Sequence, residues 1–155
     1  MTDRDFVTRF VSFYLNCYTA YQPDLDGFLT ASMMKIKSLS QHDKEEMKTN
    51  FIQAMESAYK IFKEDAFRKR FNPNERRKPI NKALFETISV NLAKLSEDQA
   101  KALIEQKELF KKRLMELMNT PSFEQSISRA TGQKKSVETR FSEIERLIKE
   151  ILNSN

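Results

Sequence analysis

The sequence predicts an all-α protein, a single helical bundle of about six or seven helices occupying residues 1–155. Two observations carry that expectation. Only two glycines and four prolines punctuate 155 residues, too few for a sheet with many tight turns, while Lys, Glu, Leu, Met and Ala are frequent. Apolar residues recur at three- and four-residue intervals between charges, the period of an amphipathic helix. With 39% hydrophobic residues, a chain of this length buries about two-thirds of its unfolded surface in one core, so one domain is expected.

The first helix should begin near Asp3. Phe6, Phe10, Phe13, Tyr14, Cys17, Tyr18 and Tyr21 keep the helical spacing up to Pro23 and form an aromatic core stripe. A second helix starts at Asp24 or Asp26 and carries Phe28, Leu29, Met33, Ile36 and Leu39. Ser40 followed by Asp43 reads as the cap of a third helix, which runs to about Lys63 with the apolar set Met47, Phe51, Ile52, Met55, Ala58, Tyr59 and Phe62. A short piece from Asp65 to Arg70 ends in Asn72-Pro73-Asn74, a turn former.

Pro79 fits the first turn of the next helix, which carries Ile80, Ala83, Leu84, Ile88, Leu92 and Leu95. Ser96 with Gln99 forms a capping box for a fifth helix, about Glu97 to Asn119, and Pro121 stops it. A short helix near Phe123 to Arg129 leads to Thr131-Gly132. The last helix follows with Val137, Phe141, Ile144, Leu147, Ile148 and Ile151.

Charge is concentrated in one place. Residues 68–82 hold Arg68, Lys69, Arg70, Arg76, Arg77, Lys78 and Lys82 against the single acid Glu75, whereas the remainder of the chain has 20 basic and 21 acidic residues. The net charge of +5 therefore comes from this connecting segment. A local cationic patch attracts phosphate or another polyanion, whereas evenly mixed charge mainly confers solubility. Thr131 to Ser136 is a second polar cluster, leading to Arg140. It sets Lys134 and Lys135 at a helix N-terminus, a place that favours anions.

Catalytic chemistry is not signalled. The one histidine, His42, has no second histidine or cysteine at metal-ligand spacing, so no metal or other cofactor is expected. Acidic residues alternate with basic ones at i,i+4 spacing, as on solvated helix faces, and no Gly-rich phosphate loop is present. Cys17 cannot form an internal disulfide; on the aromatic stripe it reads as a small buried residue. No apolar run reaches 18 residues, and Met1 to Ala20 carries Asp3 and Arg4. Neither a membrane span nor a signal peptide is expected, and a cytoplasmic location fits. Phe67, Phe71 and Phe85 interleave with the basic residues, but core packing explains them better than base stacking.

Ala66-Phe67-Arg68, the run Lys78-Pro79-Ile80-Asn81-Lys82-Ala83-Leu84-Phe85-Glu86, and Lys134 to Phe141 with Arg140 resemble the C-terminal helical half of a large prokaryotic family. Its N-terminal half is a ParB-like nucleotide-hydrolysing domain, as in GmrSD-type modification-dependent restriction enzymes and related phage-defence proteins. Arg9-Phe10, Tyr14 to Tyr21, Phe28-Leu29 and Phe51 to Phe62 follow the same order. The family's DGQQR-like motif is absent, so its catalysis does not carry over, and Met1 aligns with an internal point of the longer proteins.

The resemblance implies a detached C-terminal half, a non-catalytic accessory domain that packs against a nucleotide-hydrolysing domain and helps contact DNA. Charge and placement nominate Arg68, Lys69, Arg70, Arg76, Arg77, Lys78 and Lys82 for phosphate contacts, with Lys134, Lys135 and Arg140 as a second anion site. The alternative is a protein–protein interaction module in which the same cations meet acidic side chains of a partner.

Overall fold

The structure, a computed structural model, describes residues 3–154. Its eight α-helices are α1 (Asp3–Leu15), α2 (Leu25–Ile36), α3 (Gln41–Phe62), α4 (Lys82–Ala93), α5 (Glu97–Glu105), α6 (Lys107–Met118), α7 (Pro121–Ser128) and α8 (Lys134–Asn153). Short 3-10 turns occupy Tyr18–Ala20 and Lys63–Asp65. The all-α expectation holds. No helix among the described residues is long and apolar enough to cross a membrane.

α4 is the centre of the molecule. Its sequence has no polar face, as a helix surrounded by protein requires, and it packs against α1, α3, α7 and α8. All of Ala83 to Val90, together with Leu92 and Ala93, is buried. α8 lays Val137, Phe141, Ile144, Leu147, Ile148 and Ile151 against this centre. Aromatic rings fill the joints. Phe13 lies 4.8 Å from Phe141 and 4.9 Å from Phe28, and Phe10 meets Phe51 edge-on at 4.7 Å.

Three helix boundaries depart from the periodicity. α1 ends at Leu15 instead of continuing to Tyr21, because the Asn16 amide competes for the backbone: it donates to Ser12 O at 2.8 Å and to Ser32 Oγ at 2.9 Å. The chain then turns, Tyr18 stacks on Phe141 at 5.4 Å, and the Tyr21 hydroxyl donates to Gly132 O at 2.5 Å. Cys17 is consequently exposed rather than buried. Its thiol donates to or accepts from Thr19 Oγ1 at 3.1 Å, and that contact lowers its pKa.

α4 begins at Lys82, not Pro79. Asn81 is the cap, its Oδ1 accepting from Leu84 N at 2.8 Å. The predicted fifth helix is two, broken at Gln106, whose side-chain amide donates to Ile151 O at 3.1 Å near the end of α8. This break raises the helix number to eight. Pro121 both ends α6 and occupies the first turn of α7. The Asp24, Ser40 and Ser96 caps form as expected, the last with its reciprocal Gln99 bond.

Candidate nucleic-acid interface

The basic segment is an ordered loop closed at its base. The Asn81 N–H donates to Phe67 O at 2.8 Å, and Arg68 pairs antiparallel with Ile80. Phe67 is buried and meets Phe85 edge-on at 4.8 Å, and Phe85 meets Phe6 at 4.9 Å. Two of the interleaved phenylalanines therefore belong to the core. Phe71 is half-buried under the Lys78 ammonium, 5.5 Å from its ring centroid. The loop is pinned to its neighbours by Asn119 Nδ2 donating to Phe71 O at 2.9 Å and Asn81 Nδ2 donating to Ile127 O at 3.0 Å.

Its cations divide into two groups. Arg68, Lys69, Arg70 and Lys78 hold the loop together. Arg68 donates to Glu64 O at 2.8 Å and Lys78 O at 2.5 Å. Lys69 reaches Ser128 Oγ at 2.5 Å and lies 3.9 Å from Glu124. Arg70 grips Asp65 at 2.5 and 3.1 Å and also donates to the carbonyls of Asn72 and Glu75. Lys78 pairs with Glu75 at 2.7 Å. This ammonium, and then the Phe71 amide, hold the Glu75 carboxyl below the usual carboxylate range.

The second group faces outward. Arg76 is exposed with no side-chain partner among the described residues, and Arg77 is exposed with Glu64 at 2.8 Å. Lys82 is half-buried at the first position of α4 with no ion-pair partner among the described residues. Counting the flanking turn, residues 60–82 contain nine basic and three acidic side chains, so internal pairing leaves the surface cationic.

The second cluster is smaller than expected. Lys134, at the first position of α8, lies 4.0 Å from Glu138, and Lys135 is exposed in the same turn. Arg140 is corrected: it is fully buried and cannot meet an anion at the surface. Its Nε donates to Glu86 Oε1 at 3.0 Å, its Nη2 to the same oxygen, and its Nη1 to Ser126 O at 3.0 Å and Thr131 O at 2.8 Å. Arg9 completes the cluster from α1 with a 2.8 Å contact to Glu86 Oε2.

This Arg9–Glu86–Arg140 knot escaped the sequence reading although two signals pointed to it. Glu86 is the one acid in α4, between the apolar Phe85 and Ile88, and Arg140 sits on the stripe of Val137, Phe141 and Ile144. His42 gathers with Asp43 and Glu46 at the exposed start of α3, their ligand atoms within 4.8 Å. His42 Nε2 lies 3.5 Å from Glu46, an ordinary i,i+4 surface pair.

The chain matches no protein-family model, no curated protein and no solved structure.

Proposed function

We propose that this chain is a non-catalytic helical accessory domain whose basic segment contacts the phosphate backbone of DNA, in a restriction-like or phage-defence setting. The observation that carries the reading is the exposed Arg76–Arg77 tip on a loop pinned at its base, within a stretch where nine basic side chains face three acidic ones. A fixed loop presents guanidinium groups without the entropy loss of ordering a flexible arm. The Arg77–Glu64 pair is no obstacle, because exposed ion pairs contribute only about 0–1 kcal/mol and a phosphate replaces the carboxylate. Lys78, Lys82, Lys134 and Lys135 add to the field. The likeness of residues 66–68, 78–86 and 134–141 to the C-terminal half of proteins with a ParB-like domain supports the same assignment.

Fluorescence anisotropy with labelled duplex DNA across a salt series tests it. Each phosphate contact contributes about 0.9 to the slope of log affinity against log salt, so Arg76→Glu with Arg77→Glu should flatten the slope by about 1.8. No binding by the wild-type chain at low salt sinks the proposal.

One observation favours a second reading, docking onto a protein such as a ParB-like nucleotide-hydrolysing domain. Ile52 and Tyr59, two turns apart on one side of α3, are 46% and 58% exposed. A patch of this kind on a helix face suits a partner's apolar surface.

A further inference from the structure

α7 lies against the root of the basic loop. The Asn81 amide donates to Ile127 O at 3.0 Å, and the Lys69 ammonium reaches Ser128 Oγ at 2.5 Å. The one acid of this helix, Glu124, accepts from Ser128 Oγ and lies 3.9 Å from Lys69, so a cation already faces it. α7 turns Phe123, Ser126 and Ile127 inward and leaves the uncharged Pro121, Ser122 and Gln125 exposed.

Past this helix the charge is again of one sign. Residues 125–137 contain Arg129, Lys134 and Lys135 and no acidic residue. A cavity of about 380 Å³ opens between α7 and the first turns of α8; its lining includes Ser122, Gln125, Arg129, Lys135, Ser136 and Thr139, and no carboxylate among the described residues. Arg129 and Lys135 are exposed, and neither side chain has a hydrogen bond or ion pair among the described residues. The turn between them is fixed, because Arg140 Nη1 donates to Thr131 O at 2.8 Å and the Tyr21 hydroxyl donates to Gly132 O at 2.5 Å.

We infer that the DNA-contacting surface does not end at the basic loop but crosses α7, with Arg129 and Lys135 meeting phosphates of the same duplex; this rests on the phosphate-contacting reading of the loop. Glu124 and Ser128 form one ridge of α7, beside Lys69, and Ser122 and Gln125 form the next, beside the cavity that Arg129 and Lys135 share. The two flanks are therefore separated by no more than a helix diameter, about 10–12 Å. One duplex, whose major groove is about 12 Å wide, touches both at once. Between them the exposed face of α7 offers hydroxyl and amide groups, which hydrogen-bond phosphate oxygens without repelling them.

The salt dependence of binding to one labelled duplex separates this inference from the reading it rests on. Arg129→Glu with Lys135→Glu should flatten the slope of log affinity against log salt by about 1.8, and by about 3.6 when combined with Arg76→Glu and Arg77→Glu. Arg129→Lys, which keeps the charge, should retain the wild-type slope. Lys149→Glu lies about 21 Å from Lys135 along α8 at 1.5 Å per residue, twice the Debye length of about 10 Å at 0.1 M salt, and should leave the slope unchanged. A wild-type slope in the Arg129, Lys135 pair, alongside a flattened one in the Arg76, Arg77 pair, overturns the extension across α7 and leaves the loop's role standing. Equal flattening by Lys149→Glu, or loss of slope in Arg129→Lys, overturns the extension too, since net charge or a structural role then explains the effect. Absence of wild-type binding at low salt removes both.

Discussion

Arg140 sits on the apolar stripe of α8 with no exposed surface, and its guanidinium is tolerated there because Glu86 and two backbone carbonyls accept hydrogen bonds from it. Glu86 in turn binds Arg9. Removing one member of such a cluster strands the others in a low-dielectric interior, which costs about 3–5 kcal/mol, whereas apolar replacement of a whole pair is often close to neutral. Arg140→Met should therefore lower unfolding stability in urea by about 3–5 kcal/mol. The Glu86→Leu, Arg140→Met double variant should recover much of that loss, since Arg9 is near enough to the surface to turn outward. A double variant as damaged as the sum of its single changes would show that the two side chains do not act together.

At the scale of the element, the basic loop is held by its own charges, and Glu75 is its pivot. The Lys78 ammonium and the Phe71 amide depress the Glu75 pKa in the folded protein. A depressed carboxylate contributes stability that is present above its unfolded value, about 4.3, and is lost as pH falls through the lower folded value. Hydrogen-exchange protection of residues 71–78 should thus be constant above about pH 5 and fall below about pH 4, while the helices keep theirs. Glu75→Gln should lower protection of the loop at neutral pH and remove its acid dependence. Protection that stays pH-independent in the wild type would deny Glu75 this role.

At the scale of the molecule, α8 closes the core. It supplies Val137, Phe141, Ile144, Leu147, Ile148 and Ile151 to the buried cluster and Arg140 to Glu86. Each fully buried aliphatic or aromatic side chain contributes about 1.5–3 kcal/mol, so six of them, about 9–18 kcal/mol, match the whole stability margin of about 5–15 kcal/mol of an ordinary domain. A chain ending at Ala130 should lose cooperative thermal unfolding by circular dichroism and expose its apolar surface to a hydrophobic dye. Cooperative melting of that truncated chain would show that residues 3–130 hold a core without α8.

Much of the fold was legible in local sequence. Apolar spacing set the helical class, and Asp24, Ser40 and Ser96 marked helix starts because a cap's hydrogen bond is made within three residues of chain. The basic loop was equally visible, since charge density is a property of the chain itself. The broken helix at Gln106, the early end of α1 at Asn16 and the exposure of Cys17 were not, because each depends on a partner far away in sequence: Ile151, Ser32 and the packing of Tyr18 on Phe141. The same distinction divides the basic residues. Sequence determined that this protein is helical and carries its positive charge in one segment; only the tertiary structure decided which cations face outward and which are structural. Among the described residues Arg76 is left without a side-chain partner and Arg140 is buried, because a charge's availability is set by the oppositely charged and polar groups that folding brings to it.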